Sequence, residues 1–113
     1  MSDRRIHIAL AVRDLSTSIQ DYSARLGLEP CCIVEGTYAL WRTEHLNLSI
    51  SVKPEAAGML RQLGFEDRDA AEMSAERDVN GIEWERFIET QQRDEILRIW
   101  AARSLHDLAD VVA

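Results

Sequence analysis

The first residues of the chain alternate between two kinds of side chain. Large apolar residues hold the even positions, and small residues with one imidazole hold the odd ones: Ile6, Ile8, Leu10 and Val12 against His7, Ala9 and Ala11. Successive side chains of a strand point to opposite faces. A surface strand would carry charges on its second face, so this pattern predicts a strand that is covered by a helix on one side and faces a cavity on the other. His7 is expected to point into that cavity.

An amphipathic helix and three further strands complete the pattern of the first half. The apolar residues Leu15, Ile19, Tyr22 and Leu26 recur at helical spacing, Thr17 with Gln20 resembles a capping box, and Gly27 ends the segment. Strands are then predicted over 31–35, 37–42 and 46–52, separated by turn residues. The last of them places Asn47, Ser49 and Ser51 on one face. That face is polar but uncharged, which suits a ligand pocket better than bulk water.

The second half partly repeats the first at a shift of 55 positions. Leu63 and Phe65 correspond to Ile8 and Leu10, and Gln62 corresponds to His7. The pattern predicts a helix that Asp69 caps and Asn80-Gly81 ends, followed by a strand over 82–89.

Beyond Thr90 the apolar residues keep helical spacing, which predicts one broken helix or two short ones, with Ser104 and Asp107 as another capping box. The stretch from Arg93 to Arg103 is amphipathic. Packing of this helix on the sheet is favoured over an exposed helix for a partner protein.

Length and charge narrow the functional classes. The chain has 113 residues with 46% hydrophobic residues, enough for one domain with its own core. A net charge of −7 without a basic run argues against nucleic acid. The N-terminus lacks a signal-peptide pattern, and no apolar segment is long enough to cross a membrane, so we predict a cytoplasmic protein. Cys31 and Cys32 are adjacent, which disfavours a disulfide between them, and they are expected to be reduced.

The N-terminal motif resembles a known family. The run from His7 through Val12, Asp14-Leu15, Ser18-Ile19 and Tyr22 to Leu26-Gly27-Leu28 with Pro30 is similar to the first module of the vicinal oxygen chelate superfamily, which includes glyoxalases, bleomycin-resistance proteins and extradiol dioxygenases. The resemblance is good over 6–52, thinner over 59–89 and absent afterwards. It implies an α+β fold in which βαβββ modules form a curved mixed sheet around a cavity, often completed in a homodimer.

On this resemblance the chain is one glyoxalase-like domain over 1–113. It comprises a βαβββ module at about 4–53, a shortened βαβ module at about 59–89, and a helical segment at about 90–112. Because the final strands of the second module are missing from the pattern, the C-terminal helices or a second chain are expected to cover the gap. We therefore expect a homodimer.

The resemblance also implies metal ligands on the first and last strand of each module. His7 and Gln62 fit the two opening-strand ligands for a divalent ion such as Ni, Zn, Mn or Fe. Asn47, or Ser49, stands where a glutamate is typical, so the set is incomplete and would bind a metal weakly. A carboxylate could come from Glu83, Glu85 or Glu89, or from the loop with Glu44 and His45, although all of these read more simply as solvated residues.

Two further readings of the same residues stay open. His7 can be a core histidine satisfied by a backbone carbonyl, or a contact for a ligand without metal. The aromatic residues Tyr38, Trp41, Trp84, Phe87 and Trp100 can line a pocket, or can form the core and a dimer interface. The candidate ligand-binding residues are His7, Trp41, Asn47, Ser49, Gln62 and Trp84.

Three functions are consistent with the sequence. The first is a protein that binds a small organic molecule in a sheet-lined cavity without catalysis, as bleomycin-resistance proteins do. The second is a metal-dependent lyase, isomerase or dioxygenase in which the ion polarises a carbonyl or binds vicinal oxygens. The third is a domain that has lost both tasks and serves mainly for dimerisation.

Overall fold

The computed structural model describes residues 4–100, with side chains up to residue 98. Within this range the chain is α+β. The elements, in order, are β1 (Arg4–Val12), α1 (Leu15–Leu26), β2 (Cys32–Val34), β3 (Tyr38–Arg42), β4 (Leu46–Val52), a 3₁₀ turn (Pro54–Ala56), β5 (Leu60–Asp67), β6 (Ser74–Arg77), β7 (Glu83–Phe87) and α2 (Glu89–Trp100).

The seven strands form one mixed sheet in the order β2-β3-β4-β1-β5-β7-β6. At its centre β1 runs antiparallel to β5. Each of these two strands has a parallel neighbour on its outer side, β4 beside β1 and β7 beside β5. The described strands do not close into a barrel, so β2 and β6 are edges.

Helix α1 has a capping residue at each end. The N-cap is Asp14, whose carboxylate accepts hydrogen bonds from the backbone N–H and the hydroxyl of Thr17. Thr17 is thus not the cap that the sequence pattern suggested, because it already lies inside the first turn. Gly27 ends the helix at φ 67°, a left-handed conformation that favours glycine.

The main core lies between α1 and one face of the sheet. Trp41 and Ile50 are fully buried there and pack with residues of α1 such as Leu15 and Ile19. The indole Nε1 of Trp41 donates to the backbone oxygen of Leu28 at 3.1 Å. The predicted helix-covered face of the first half is confirmed.

Helix α2 packs on the opposite face of the sheet. Ile96 joins a second buried cluster with Val34, Tyr38 and Leu40, and Glu89 forms an ion pair with Arg42. The prediction that a C-terminal helix packs on the sheet is confirmed for this segment. The predicted helical continuation to about 112, including Ser104 and Asp107, lies outside the described residues. No helix within the described range is long and apolar enough to span a membrane.

The helix predicted after Asp69 is wrong. The chain turns after β5 and then forms β6, which pairs with β7 in an antiparallel hairpin. The carboxylate of Asp78 accepts from the backbone N–H of Asn80 and of Ile82, so the residues read as a helix end instead form the hairpin turn. The second half therefore contains three strands and no helix between residues 60 and 87.

Candidate functional site

A cavity of about 230 Å³ lies on the face of the sheet opposite α1. Strands β1, β4, β5 and β7 form its floor, and α2 forms one wall. The polar and aromatic residues that line it include His7, Ser49, Gln62, Glu85, Phe87 and Glu95. The alternation seen in β1 and β4 places the small and polar residues of both strands on this face, as the sequence predicted.

One row of cross-strand neighbours builds the centre of the floor. It runs from Asn47 on β4 through His7 on β1 and Gly64 on β5 to Glu85 on β7. A Cβ at Gly64 would clash with the backbone oxygen of Glu85, so only glycine allows β7 to approach here. Because Gly64 has no side chain, the imidazole and the carboxyl of its two neighbours reach each other, with His7 Nε2 3.8 Å from Glu85 Oε1.

A buried carboxylate on the same face of the sheet anchors the network beside the cavity. Glu66 receives hydrogen bonds from Arg5, Arg42 and the amide of Asn47 at 2.7 to 2.9 Å. Burial alone would raise the pKa of Glu66, but the hydrogen bonds from Arg42 and Asn47 and the nearby guanidinium charges hold it below its ordinary value. The carboxylate is therefore ionised and can only accept hydrogen bonds.

This anchor fixes the tautomer of His7. Since Glu66 can only accept, the amide nitrogen of Asn47 must face it, which turns the amide oxygen toward His7 Nδ1 at 2.9 Å. An amide oxygen can only accept, so Nδ1 of His7 carries the proton. In the neutral ring Nε2 is then an unprotonated acceptor, and it is the nitrogen that faces Glu85.

Helix α2 is tied to the same network through Gln92. Its amide exchanges two hydrogen bonds with the amide of Asn47, accepting at 2.8 Å and donating at 3.2 Å. Asn47 is fully buried and thereby connects β4, β1, β5 and α2. This side chain therefore helps to hold the wall of the cavity against its floor.

Burial shifts the pKa of the two titratable groups at the centre in opposite directions. Desolvation lowers the pKa of His7 despite the hydrogen bond with Asn47, so the imidazole is neutral at pH 7. Desolvation, with the neighbouring carboxylates of Glu95 and Glu83, raises the pKa of Glu85 to about 7. The cavity thus presents a neutral base beside a carboxyl group that is poised between its two protonation states.

Gln62 lies on the same floor next to this pair. Its amide nitrogen donates to Glu83 at 2.7 Å. The same amide is a minor influence on the two titratable groups, since it raises the pKa of His7 and lowers the pKa of Glu85. The predicted pairing of His7 and Gln62 as neighbours at one site is therefore realised in space. Whether they bind a metal stays a prediction.

The other candidate residues are distributed differently from the sequence prediction. Ser49 lines the cavity, whereas Asn47, on the same face of the sheet, is not part of the lining and holds His7. Trp41 and Trp84 do not line it, because Trp41 stands opposite Leu48 and Trp84 opposite Leu63, and both of these partners share the face of Ile8, away from the cavity. Two other aromatic residues, Tyr38 and Phe87, take their place, and the Phe87 ring lies edge-on to His7 at 5.1 Å.

Some residues of the site carried only weak signals in the sequence. Gly64 was recognisable as a glycine inside a strand, which often marks a close backbone approach. Glu85 was one of several alternative carboxylates. Glu66 and Gln92 had no distinguishing pattern, because their roles depend on contacts between elements far apart in the chain.

The donor atoms at the centre of the cavity fit a divalent metal poorly. Among the residues that the structure describes, no three His, Cys, Asp or Glu side chains are grouped so as to hold a metal ion. The centre offers one imidazole nitrogen, one amide and a carboxyl whose pKa is raised to about 7. A divalent ion needs more anionic ligands than this to offset its dehydration, so the fit is poor.

Comparison with known proteins adds information on the fold alone. No family model matches the sequence, and no curated protein matches it. Among solved structures, the chain is similar to one from Legionella pneumophila described as an NAD-dependent benzaldehyde dehydrogenase, with a TM-score of 0.50 and 12% sequence identity. The match covers 74% of this chain and 97% of that chain. At this level of identity the likeness extends to the fold and not to activity.

Proposed function

We propose that the protein binds a small organic molecule in the cavity above His7, without a metal and without catalysis, in the manner of a glyoxalase-like or bleomycin-resistance-like protein. The observation that carries this proposal is the fixed orientation of His7. A buried network of four side chains holds an unprotonated nitrogen toward a cavity large enough for a few non-hydrogen atoms. Such preorganisation lowers the cost of binding a ligand.

The chemistry of the lining favours a ligand that donates hydrogen bonds. Nε2 of His7 is an acceptor, and the carboxyl groups of Glu85 and Glu95 also face the cavity, with Arg61 as the cation on the described lining. A hydroxyl or ammonium group can donate to His7 and Glu85 together. Phe87 and Ile96 offer apolar contact for the rest of the molecule.

The sheet supports a two-module interpretation of this fold. The parallel pair β1/β4 has a counterpart in the parallel pair β5/β7, on either side of the central antiparallel pair. His7 bonds to Asn47 in the first pair, and Gln62 bonds to Glu83 in the second. This correspondence agrees with the internal repeat and with the resemblance to the vicinal oxygen chelate superfamily, with a second module that has lost its helix.

Ligand-observed NMR with a library of small amines and hydroxylated fragments tests the proposed binding. We expect hits whose saturation-transfer signal is lost in the Glu85→Gln and His7→Ala variants. The same signal should persist in Glu55→Gln, an exposed glutamate in the 3₁₀ turn. If no fragment discriminates the cavity variants from this control, the proposed binding site is wrong.

The alternative is the divalent-metal-dependent lyase, isomerase or dioxygenase that the resemblance implies. What supports it is the convergence of His7, Gln62 and Glu85, although the donor set is short of anionic ligands. Plasma mass spectrometry of the purified protein, before and after dialysis against nickel, zinc, manganese and iron salts, tests it. Near-stoichiometric metal that is lost in His7→Ala would favour the enzyme over the binding protein.

The state of the two cysteines supports a proposed location in the cell. Cys31 and Cys32 are both free thiols, which agrees with a reducing compartment, and we propose a cytoplasmic protein.

A further inference from the structure

One residue of β5 interrupts the regular pairing of this strand with β1. Ala9 pairs with Gln62, and Leu10 pairs with Leu60. Arg61 is the extra residue between these two pairs, so it belongs to a β-bulge. Consecutive residues of a regular strand point to opposite faces, but Arg61 and Gln62 both line the cavity. Bulges re-aim side chains in this way, often next to functional sites, and this one brings a cation to the cavity.

The guanidinium group of Arg61 crosses β1 to reach β4. It donates to the hydroxyl of Ser51 at 3.1 Å, although β1 lies between β5 and β4 in the sheet. The nearby side chains of β1 on this face are Ala9 and Ala11, which are small enough to leave room for the crossing. The hydrogen bond with Ser51 therefore fixes the cation at one end of the cavity.

The charge of Arg61 has no matching carboxylate. Within the described part of the chain, no carboxylate forms an ion pair with it. Arg42, by contrast, pairs with Glu66 at 2.7 Å. Arg61 also lowers the pKa of Glu85 less than burial and the neighbouring carboxylates raise it, and that pKa still lies at about 7. The guanidinium group is therefore available to an anionic group of a ligand.

The hydrogen-bond acceptors of the cavity lie at the other end of the same floor. His7 and Glu85 belong to one row of cross-strand neighbours. Ser51 stands opposite Ala11, four residues further along β1 than His7. At about 3.3 Å per residue, the two rows are about 13 Å apart. The cavity thus has an acceptor end and a cationic end.

We propose that the ligand of this cavity is a small zwitterion, an ω-amino carboxylate whose ammonium group binds at His7 and Glu85 and whose carboxylate binds at Arg61. This inference rests on the proposed binding function and specifies its ligand class. The separation of the two ends favours charges that lie several bonds apart over those of an α-amino acid. The volume of about 230 Å³ is below that of sites for drug-sized ligands, so only a short chain fits between the charges. Phe87 and Ile96 offer apolar contact to its methylene groups.

The exposure of Arg61 sets the expected strength of the carboxylate contact. A guanidinium group can bind a carboxylate through two parallel hydrogen bonds. Arg61 is exposed, however, and water and salt weaken ion pairs at exposed positions. We therefore expect the carboxylate to increase affinity about fivefold, and we expect this gain to decrease at high salt concentration.

Titrations of the full chain with three matched probes, followed by ligand-observed NMR, test the ligand class. The probes are 5-aminopentanoate, pentylamine, which lacks the carboxylate, and pentanoate, which lacks the ammonium group. The wild-type protein should bind 5-aminopentanoate at least about fivefold more tightly than either of the other two probes.

Two variants of Arg61 and one control locate the carboxylate contact. Arg61→Gln should bind 5-aminopentanoate and pentylamine with equal affinity, because it removes only the contact with the carboxylate. Arg61→Lys keeps the charge without the paired donors and should restore part of the difference. Arg25→Gln is the matched control, since Arg25 is exposed on α1, on the other side of the sheet, and should keep the full difference. Circular dichroism verifies that each variant is folded.

Three results would overturn the zwitterionic ligand and leave the proposed binding function standing. The first is a wild-type protein that binds pentylamine as tightly as 5-aminopentanoate. The second is an Arg61→Gln variant that keeps the wild-type preference. The third is a protein that binds none of the three probes but still binds fragments of the library at the cavity. If it binds neither the probes nor any fragment, the proposed binding function fails together with the ligand class.

Discussion

Replacement of Asn47 by aspartate examines the network that orients His7. The substitution keeps the shape of the side chain but removes the amide N–H groups that donate to Glu66 and Gln92, both at 2.8 Å. An ionised carboxyl group at this fully buried position would face the Glu66 carboxylate. Two carboxylates within hydrogen-bonding distance of each other cannot both stay charged, so the introduced aspartate must take up a proton in the folded state.

The magnitude follows from the ordinary pKa of aspartate, about 3.9. Holding the group neutral costs about 1.36 kcal/mol for each pH unit above that value, or about 4 kcal/mol at pH 7 and about 1.5 kcal/mol at pH 5. The protonated group can donate only one of the two lost hydrogen bonds, which adds about 1 kcal/mol at both pH values. Because the folded-state pKa is raised, stability is retained at low pH and lost as pH rises.

Urea unfolding followed by far-UV circular dichroism at pH 5 and pH 7 measures this loss. Relative to wild type, Asn47→Asp should lose about 5 kcal/mol at pH 7 and about half of that at pH 5. A variant that is folded only at pH 5 fulfils the same expectation. Asn80→Asp, in the exposed β6–β7 turn, is the matched control and should change stability by less than about 0.5 kcal/mol. A loss that is equal at both pH values, or equal to that of the control, would refute the proposed role of Asn47.

Three further variants probe other parts of the site. As the pH rises from 5 to 8, Glu85→Gln should lose about 1 to 3 kcal/mol less stability than the wild-type protein loses. The reason is that the Glu85 pKa of about 7 makes ionisation of this carboxyl group costly in the folded state. Equal pH profiles of the two proteins would contradict this. Gly64→Ala should cost about 3 kcal/mol, since its Cβ meets the backbone of β7, whereas Ser74→Ala on the exposed edge should be nearly neutral in the same urea titration. Gln92→Ala should lower stability by about 1 to 2 kcal/mol through the broken amide pair, and a Tm equal to that of the exposed control Asp94→Ala would contradict the anchoring of α2.

Local sequence patterns and strand pairing favour different structures in the second half of the chain. Residues 69–78 carry capping and stop signals for a helix, yet Asp78 and Gly81 form a hairpin turn, and β6 pairs with β7. Capping residues and turn residues overlap because both satisfy backbone N–H groups with a short side chain. Because β7 is available as a partner strand, this segment forms a turn and β6 and not a helix.

Part of the candidate site was recognisable from the sequence. The alternation of β1 and β4 placed His7 and Ser49 on the cavity face, and the internal repeat pointed to Gln62. The prediction that Trp41 and Trp84 line the cavity was wrong, because composition does not say which face of a strand a large ring occupies. The strand register decides this, and it places both rings on the face away from the cavity.

The sequence by itself determined the strands of the first half, helix α1 and the division of β1 into an apolar and a cavity face. These features depend on local periodicity and on side-chain alternation, which are properties of adjacent residues. Only the tertiary structure brought Glu66 and Gln92 to Asn47 and so fixed the proton of His7, and only it brought Glu85 to the imidazole across Gly64. Glu66 and Gln92 lie 19 and 45 positions from Asn47 in the sequence, and the energies of such contacts depend on burial and charge that no single segment contains.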